Sequence, residues 1–228
     1  MGPLISVIVV TYNRAHYIRD ALDSIKRQTF KDYEIIVVDD GSTDNTKEVL
    51  ASYGGIRYIY QEHSGISKAR NTAVRAAKGK WIATIDSDDL WKEEKLQKQV
   101  DYLLAHPDCR IVYTEFSNFT DISENELNER QRDLLQIVEK WYLPSALIDI
   151  KLFDEIGLYD ETLTWGEDTD WMFRLKFARV DMEHHIDEVL YLRRVHTTNI
   201  SNSRKRLYRL DICKMSADIY RKARKVRK

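Results

Sequence analysis

The sequence predicts an α/β protein built on a doubly wound, mostly parallel sheet with helices on both faces. Three observations carry that expectation. Short runs that are almost wholly apolar and β-branched, such as LISVIVVT at 4–11, read as strands covered on both faces. These runs alternate with segments whose apolar residues recur at helical spacing, the order that produces parallel crossovers. Acidic clusters stand where strands stop, and in such sheets ligands bind beyond the carboxyl ends of the strands.

Each element can be justified in turn. After strand 4–11, Ile18, Leu22 and Ile25 mark the apolar face of a helix. YEIIVV at 33–38 is the second strand, and it runs into DDGSTDNT, where Ser42, Thr43 and Asp44 can cap a helix. A short strand at 57–60 precedes a helix at 66–78, which Gly79 is expected to close as its C′ residue. WIATI at 81–85 is a strand ending in DSDD; a helix at 93–106 stops before Pro107, and 110–113 gives one more strand. Residues 114–140 are polar and acidic without clean alternation, which suggests a surface helix or a lid. Residues 141–154 turn apolar again, 157–175 end in a helix with an acidic first turn, and 189–194 read as a late strand. The expected division is 1–113 and 114–203 as two halves of one domain, then 204–228 as a basic helix.

Composition narrows the class. With 228 residues, 43% hydrophobic and 11% aromatic, the chain can bury a core and is not disordered. The net charge of −1 hides an asymmetry: residues 204–228 carry 11 Lys/Arg and 2 Asp, net +9, and the rest is net −10. No nucleic-acid partner is expected. The basic stretch, from Arg204 to Lys228, places Leu207, Leu210, Lys214, Ala217 and Tyr220 on one partly apolar face. It suits either an anionic membrane surface or packing against the acidic body. Two cysteines, Cys109 and Cys213, lack metal-ligand spacing and favour a reducing compartment. The first apolar run, about nine residues, is short for a signal peptide or membrane span, so the expected location is cytoplasmic, with the membrane's inner face as the variant.

Several side chains have the right chemistry at the strand ends. Asp86 and Asp88 are two apart, so an extended strand end turns both to one point, and Asp89 follows. Two carboxylates at about 4 Å repel by roughly 4 kcal/mol at an effective dielectric of 20, a penalty that Mg²⁺ or Mn²⁺ removes. A polar turn capping the next helix fits the same residues. Asp39 and Asp40 are either turn residues or acceptors for a base N–H or ribose hydroxyl. Lys68, Arg70 and Asn71 open a helix whose positive end could meet pyrophosphate, with a solvated face as the alternative. Glu167, Asp168 and Asp170 occupy a helical first turn where acids are favoured anyway. Trp165 and Trp171 beside them suit an acceptor wall or the core. His196, after two arginines, is a metal or phosphate ligand or a packing residue.

Five segments in order, VIVVTYNR (7–14), IIVVDDGSTDNT (35–46), GISKARN (65–71), IDSDDLW (85–91) and GEDTDWMFRL (166–175), resemble family 2 glycosyltransferases of the GT-A fold. The resemblance covers roughly 4–201. It implies an inverting transfer of one sugar from a nucleotide-sugar donor, with UDP the expected nucleotide, to a glycan, lipid-linked or small-molecule acceptor. It implies that Thr11, Tyr12, Asn13 and Arg14 surround the nucleotide, that Asp39 or Asp40 reads the base, and that Lys68 and Arg70 lie near base or phosphates. Asp86, Ser87 and Asp88 form the DXD element, with Asp88 the better metal contact and His196 a further metal or pyrophosphate ligand. Asp168 is the implied catalytic base, and Trp165, Glu167 and Trp171 the implied acceptor contacts. The absence of a QXXRW-type motif points to single transfers. TYNRAHY after the first strand holds no glycine, which disfavours a sugar nucleotidyltransferase or a dinucleotide-binding dehydrogenase. A silent nucleotide-sugar sensor is the remaining rival, separable by turnover.

Overall fold

The computed structural model describes residues 2–197 and 199. Its strands are β1 (Ile5–Thr11), β2 (Tyr33–Asp39), β3 (Arg57–Tyr60), β4 (Trp81–Asp86), β5 (Leu90–Trp91), β6 (Ile111–Phe119), β7 (Val138–Glu139), β8 (Leu147–Asp149) and β9 (His185–Arg194). Its helices are α1 (Ile18–Lys26), α2 (Thr46–Ala51), α3 (Ile66–Ala76), α4 (Lys95–Ala105), α5 (Glu129–Leu134), α6 (Lys151–Ile156) and α7 (Glu167–Phe177). The sheet runs β3-β2-β1-β4-β8-β6-β9-β5, and β7 pairs with β6 at the side. The half formed by β3, β2, β1 and β4 is wholly parallel; β8 enters antiparallel to both β4 and β6, and β9 lies parallel to β6.

The period of two along each strand explains why both faces are covered. In β1, Ile5, Val7 and Val9 pack with Leu22 and Ile25 of α1, whereas Ile8 packs with Ala69 and Ala73 of α3. Helices α1, α2 and α4 therefore cover one face, and α3, α6 and α7 the other. Each such Ile or Val, fully withdrawn from water, contributes about 1.5–3 kcal/mol before entropy is counted.

Three expectations change. Residues 114–119 do not belong to a surface segment: β6 runs on to Phe119, its inward residues Thr114, Phe116 and Asn118 buried. The pattern was masked because two of those three are polar. The remainder holds a short 3-10 turn, α5, with a reciprocal capping box between Asn128 and Gln131, and β7. Gly79 is not the terminator of α3, which ends at Ala76 with Ala77 extended. Gly79 is small because a Cβ there would come within 2.5 Å of the Ser6 nitrogen where the chain enters β4. Strand β5 had no signal at two residues. The basic stretch 204–228 lies outside the described residues. No helix among the described residues is long and apolar enough to cross a membrane.

Candidate active site

The carboxyl ends of β1, β2 and β4 lie side by side, because Thr11 is in register with Asp39 and Val10 with Asp86. This brings the predicted TYNR, DD and DSDD segments to one rim. Asn13 holds a left-handed backbone (φ 52°), and its side-chain oxygen accepts the Thr43 amide at 2.8 Å, stitching the first two loops together. Its own amide donates to Ser42 Oγ at 2.9 Å. Thr11 Oγ1 is buried at the rim without a hydrogen-bond partner. Tyr12 stacks on His63 with ring centres 4.2 Å apart, leaving a half-exposed aromatic face.

The adjacent aspartates have separate duties. Asp40 accepts Gln61 Nε2 (2.7 Å), the Ser64 amide (3.0 Å), the Gly65 amide (2.9 Å) and His63 Nδ1 (2.8 Å). That fills the acceptor positions of one carboxylate and builds the loop that starts α3. Asp39 takes the Ser42 amide at 2.9 Å on one oxygen and the Tyr58 hydroxyl at 3.0 Å on the other, keeping a lone pair on each.

Two charge networks meet beyond β4. In the first, Asp88 Oδ2 lies 3.1 Å from His196 Nε2 and 3.4 Å from Arg14 Nε. Burial opposes ionisation of Asp88, but the His196 hydrogen bond and the Arg14 charge hold its carboxyl below the usual range. His196 is itself buried, stacked on Tyr17 at 4.6 Å. In the second, the Arg70 guanidinium bridges Glu167 and Asp86, the latter at 3.1 Å, while the Tyr142 hydroxyl donates to the other oxygen of Asp86 at 3.0 Å. Burial raises Glu167 above the ordinary range although Arg70 pulls it down, and Asp168 adds to the rise. Asp168 itself is half-buried at the opening of α7, made possible by Gly166 at φ 73°. Its Oδ1 accepts the Thr169 amide at 2.7 Å, and it follows Glu167 of the Arg70 network in the chain.

Asp89, between the networks, is structural. Its oxygens accept the Tyr191 hydroxyl (2.7 Å) and the Arg194 amide (2.8 Å). Burial and the neighbouring Asp88 and Asp86 push its carboxyl well above the carboxylate range. The Arg194 guanidinium holds the Asp88 carbonyl at 2.8 Å and also pairs with Asp20 and Asp121. Pairing of β5 with β9 delivers Arg194 here, which no local pattern could announce, together with the expected His196. Tyr142, Tyr191 and Arg194 are the site residues that sequence reasoning missed, each more than 50 positions from its aspartate.

Other predicted residues fall elsewhere. Trp171 is fully buried, stacked on Phe153 at 4.5 Å with its Nε1 donating to Gly157 O, so it is core and not an acceptor wall. Glu167 is likewise turned into the Arg70 pair instead of facing an acceptor. Lys68, two positions from Arg70, is exposed on another side of α3 near Glu161. Ser87 is buried and Trp165 half-buried. Asn71, read only as a helix opener, grips the backbone of Tyr159 through both of its polar atoms and so positions the loop before α7.

No three His, Cys, Asp or Glu side chains among the described residues form a closed metal cage. Asp88 and His196 nonetheless present one carboxylate and one imidazole together, an open set that suits a hard divalent ion completing its shell with phosphate and water.

Comparison with known proteins accords with this geometry. The chain is 35% identical over 216 residues to an uncharacterised glycosyltransferase of Rickettsia prowazekii (strain Madrid E), covering 89% of this chain and 67% of that one. The fold superposes on S. aureus TarS 1–349 in complex with UDP-GlcNAc (TM-score 0.70, 22% identity, 90% of this chain, 61% of that one). It also superposes on the mannosyltransferase PcManGT of Pyrobaculum calidifontis in complex with GDP-Man and Mn²⁺ (TM-score 0.62, 23% identity, 87% and 59%). The chain thus spans about two thirds or less of the length of these proteins. The family model for glycosyl transferase family 2 matches residues 6–165, more than half of the sequence, and with the GT-A architecture and the rim it builds, the chain belongs to that family.

Proposed function

We propose that this glycosyltransferase binds a nucleotide-sugar donor, UDP-linked, across the rim and transfers one sugar with inversion to an acceptor hydroxyl. The supporting observation is the Asp88–His196–Arg14 and Arg70–Asp86–Glu167 networks at the strand ends next to Asp39, which is buried but keeps an unused lone pair on each oxygen. On this reading residues 1–113 hold the donor, and 114–203 supply the base and the acceptor side. Asp39, not the saturated Asp40, reads the base, and Tyr12 offers its exposed ring to it. Arg14, beside Asp88, meets the diphosphate. TarS and PcManGT were solved with UDP-GlcNAc and with GDP-Man and Mn²⁺, which makes both a donor and a metal reasonable here. A bound Mn²⁺ or Mg²⁺, held by Asp88 and His196, would offset charge on the leaving diphosphate.

Asp168 takes the acceptor proton as the oxygen attacks the anomeric carbon. Glu167 is unsuited to that role, because its carboxyl is buried in the Arg70 pair. Arg70 keeps Glu167 and Asp86 fixed, so the base is presented from a rigid helix start. Thermal shift and turnover across a panel of nucleotide sugars, with Mn²⁺, Mg²⁺ or EDTA, test the reading. A metal-dependent rise in Tm with one donor, lost in Asp88→Ala, is the expected result. Equal shifts for that donor in EDTA and Mn²⁺ would overturn the assignment of Asp88, and no turnover of any donor would indicate a silent binder.

A further inference from the structure

We propose that Trp141 covers a binding subsite for a sugar ring of the acceptor, with the Tyr113 hydroxyl and His185 Nε2 as its hydrogen-bonding groups. The proposal depends on the donor reading above only for its place beside Asp86 and Asp168.

Tyr113 on β6 and His185 on β9 are register partners, and each carries a buried polar atom with no hydrogen-bond partner among the described residues. Such atoms are uncommon because each one left unpaired in the interior is costly. Both rings flank Trp141, with centres 5.2 Å (Tyr113) and 6.3 Å (His185) away. Trp141 is 46% exposed, whereas Trp171 and Trp91 are 0% and 3% exposed. A large apolar face thus stands in water directly over two unused polar groups.

The chemistry of those groups selects the ligand. His185 Nδ1 lies 3.1 Å from Asp187 Oδ1, and a carboxylate only accepts, so Nδ1 carries the proton. In the neutral ring Nε2 is then an acceptor and needs a donor. The Tyr113 hydroxyl can donate or accept. A fully ionised carboxylate or phosphate offers no donor to a neutral Nε2, and a purely apolar ligand leaves both atoms unpaired. A sugar ring supplies a C–H face to stack on indole and hydroxyls that both donate and accept. Because Tyr113 is fully buried, Trp141 must swing outward for the ring to reach Tyr113 and His185. The rim is polar, with Lys140 Nζ 2.5 Å from Asp187. Tyr113 and Tyr159 share one cluster on the α3 and α7 side of the sheet, and the Arg70 guanidinium, paired with Asp86, lies 5.8 Å from the Tyr159 ring centre, so a ring held here is on the side that carries Asp168.

Saturation-transfer NMR on the full chain without donor, with methyl glycosides of glucose, galactose, mannose and N-acetylglucosamine as probes, tests this. At least one glycoside is expected to bind, about tenfold more weakly in Trp141→Ala and less affected in Trp141→Phe. Tyr113→Phe, which keeps the ring packing, is expected to weaken binding about threefold. These two conservative variants carry the test if Trp141→Ala fails to fold. Asp88→Ala should bind the glycoside normally while losing its metal-dependent donor shift, so the two readings fail separately. No binding of any probe, or equal binding by wild type and the Trp141 and Tyr113 variants, would overturn the subsite.

Discussion

Glu167 and Asp168 are adjacent on α7 yet sit in different surroundings: one is buried against a guanidinium, the other half-buried at the helix start. A general base must reach the acceptor hydroxyl, and only Asp168 keeps an open approach. Asp168→Asn is nearly isosteric and removes the proposed proton acceptor. Turnover should fall by about 10²–10⁴-fold, while donor affinity from calorimetry stays within about twofold. Unchanged turnover would take Asp168 out of the mechanism. At this scale the sequence was informative about chemical type and silent about occupancy. GEDTDW marked the acidic turn, but only packing distinguishes the paired carboxylate from the open one. The same holds for Asp39 and Asp40, since the four donors that saturate Asp40 come from residues 61–65 folding back over β2.

Among the elements, α3 and α7 are joined by Arg70, whose guanidinium spans from Asp86 at the end of β4 to Glu167. Asn71 adds a second tie through the backbone of Tyr159, and Arg174 binds the carbonyls of Ile156, Gly157 and Leu158. Arg70→Met would leave Glu167 buried without its counter-charge, costing about 3–5 kcal/mol. Burial already raises the folded-state pKa of Glu167, and losing Arg70 raises it further. A group with a raised folded pKa keeps its stabilising protonated form at low pH and loses it as pH climbs through that value. The variant's deficit in urea unfolding should therefore be larger at pH 8 than at pH 5; an equal deficit would show that Glu167 is not stranded. The helices and strands themselves were legible from their periodicity, while 114–119 was not. Thr114 and Asn118 are polar yet inward-facing, and Asn118 is satisfied by the carbonyl of Leu134, a partner from outside the strand.

For the whole molecule, Lys95 ties distant layers together. It is fully buried, 2.8 Å from Gln99 Oε1 and over the Trp91 ring at 4.4 Å, and Gln99 in turn donates to Val112 and Ser145 carbonyls. Burial pushes its ammonium down to about 7. The unfolded chain keeps a lysine near pKa 10.4, so between about pH 7 and 10 the unfolded state binds more protons. Stability should rise with pH across that window on account of this residue. Lys95→Met should flatten that rise and add on the order of 1–3 kcal/mol at pH 7; parallel wild-type and variant profiles would contradict it.

By itself the sequence determined the α/β class, the strand-end position of the DD and DSDD clusters, the acidic opening of α7 and the family. All are encoded in runs of a few neighbouring residues, where periodicity and turn chemistry act locally. Only the tertiary structure decided that Asp40 is saturated, that Glu167 belongs to Arg70, that Trp171 is core, and that Tyr142 and Arg194 complete the rim. Those decisions depend on β8 and β9 crossing beside β4, β5 and β6, contacts made over long chain separations, and no local pattern carries them.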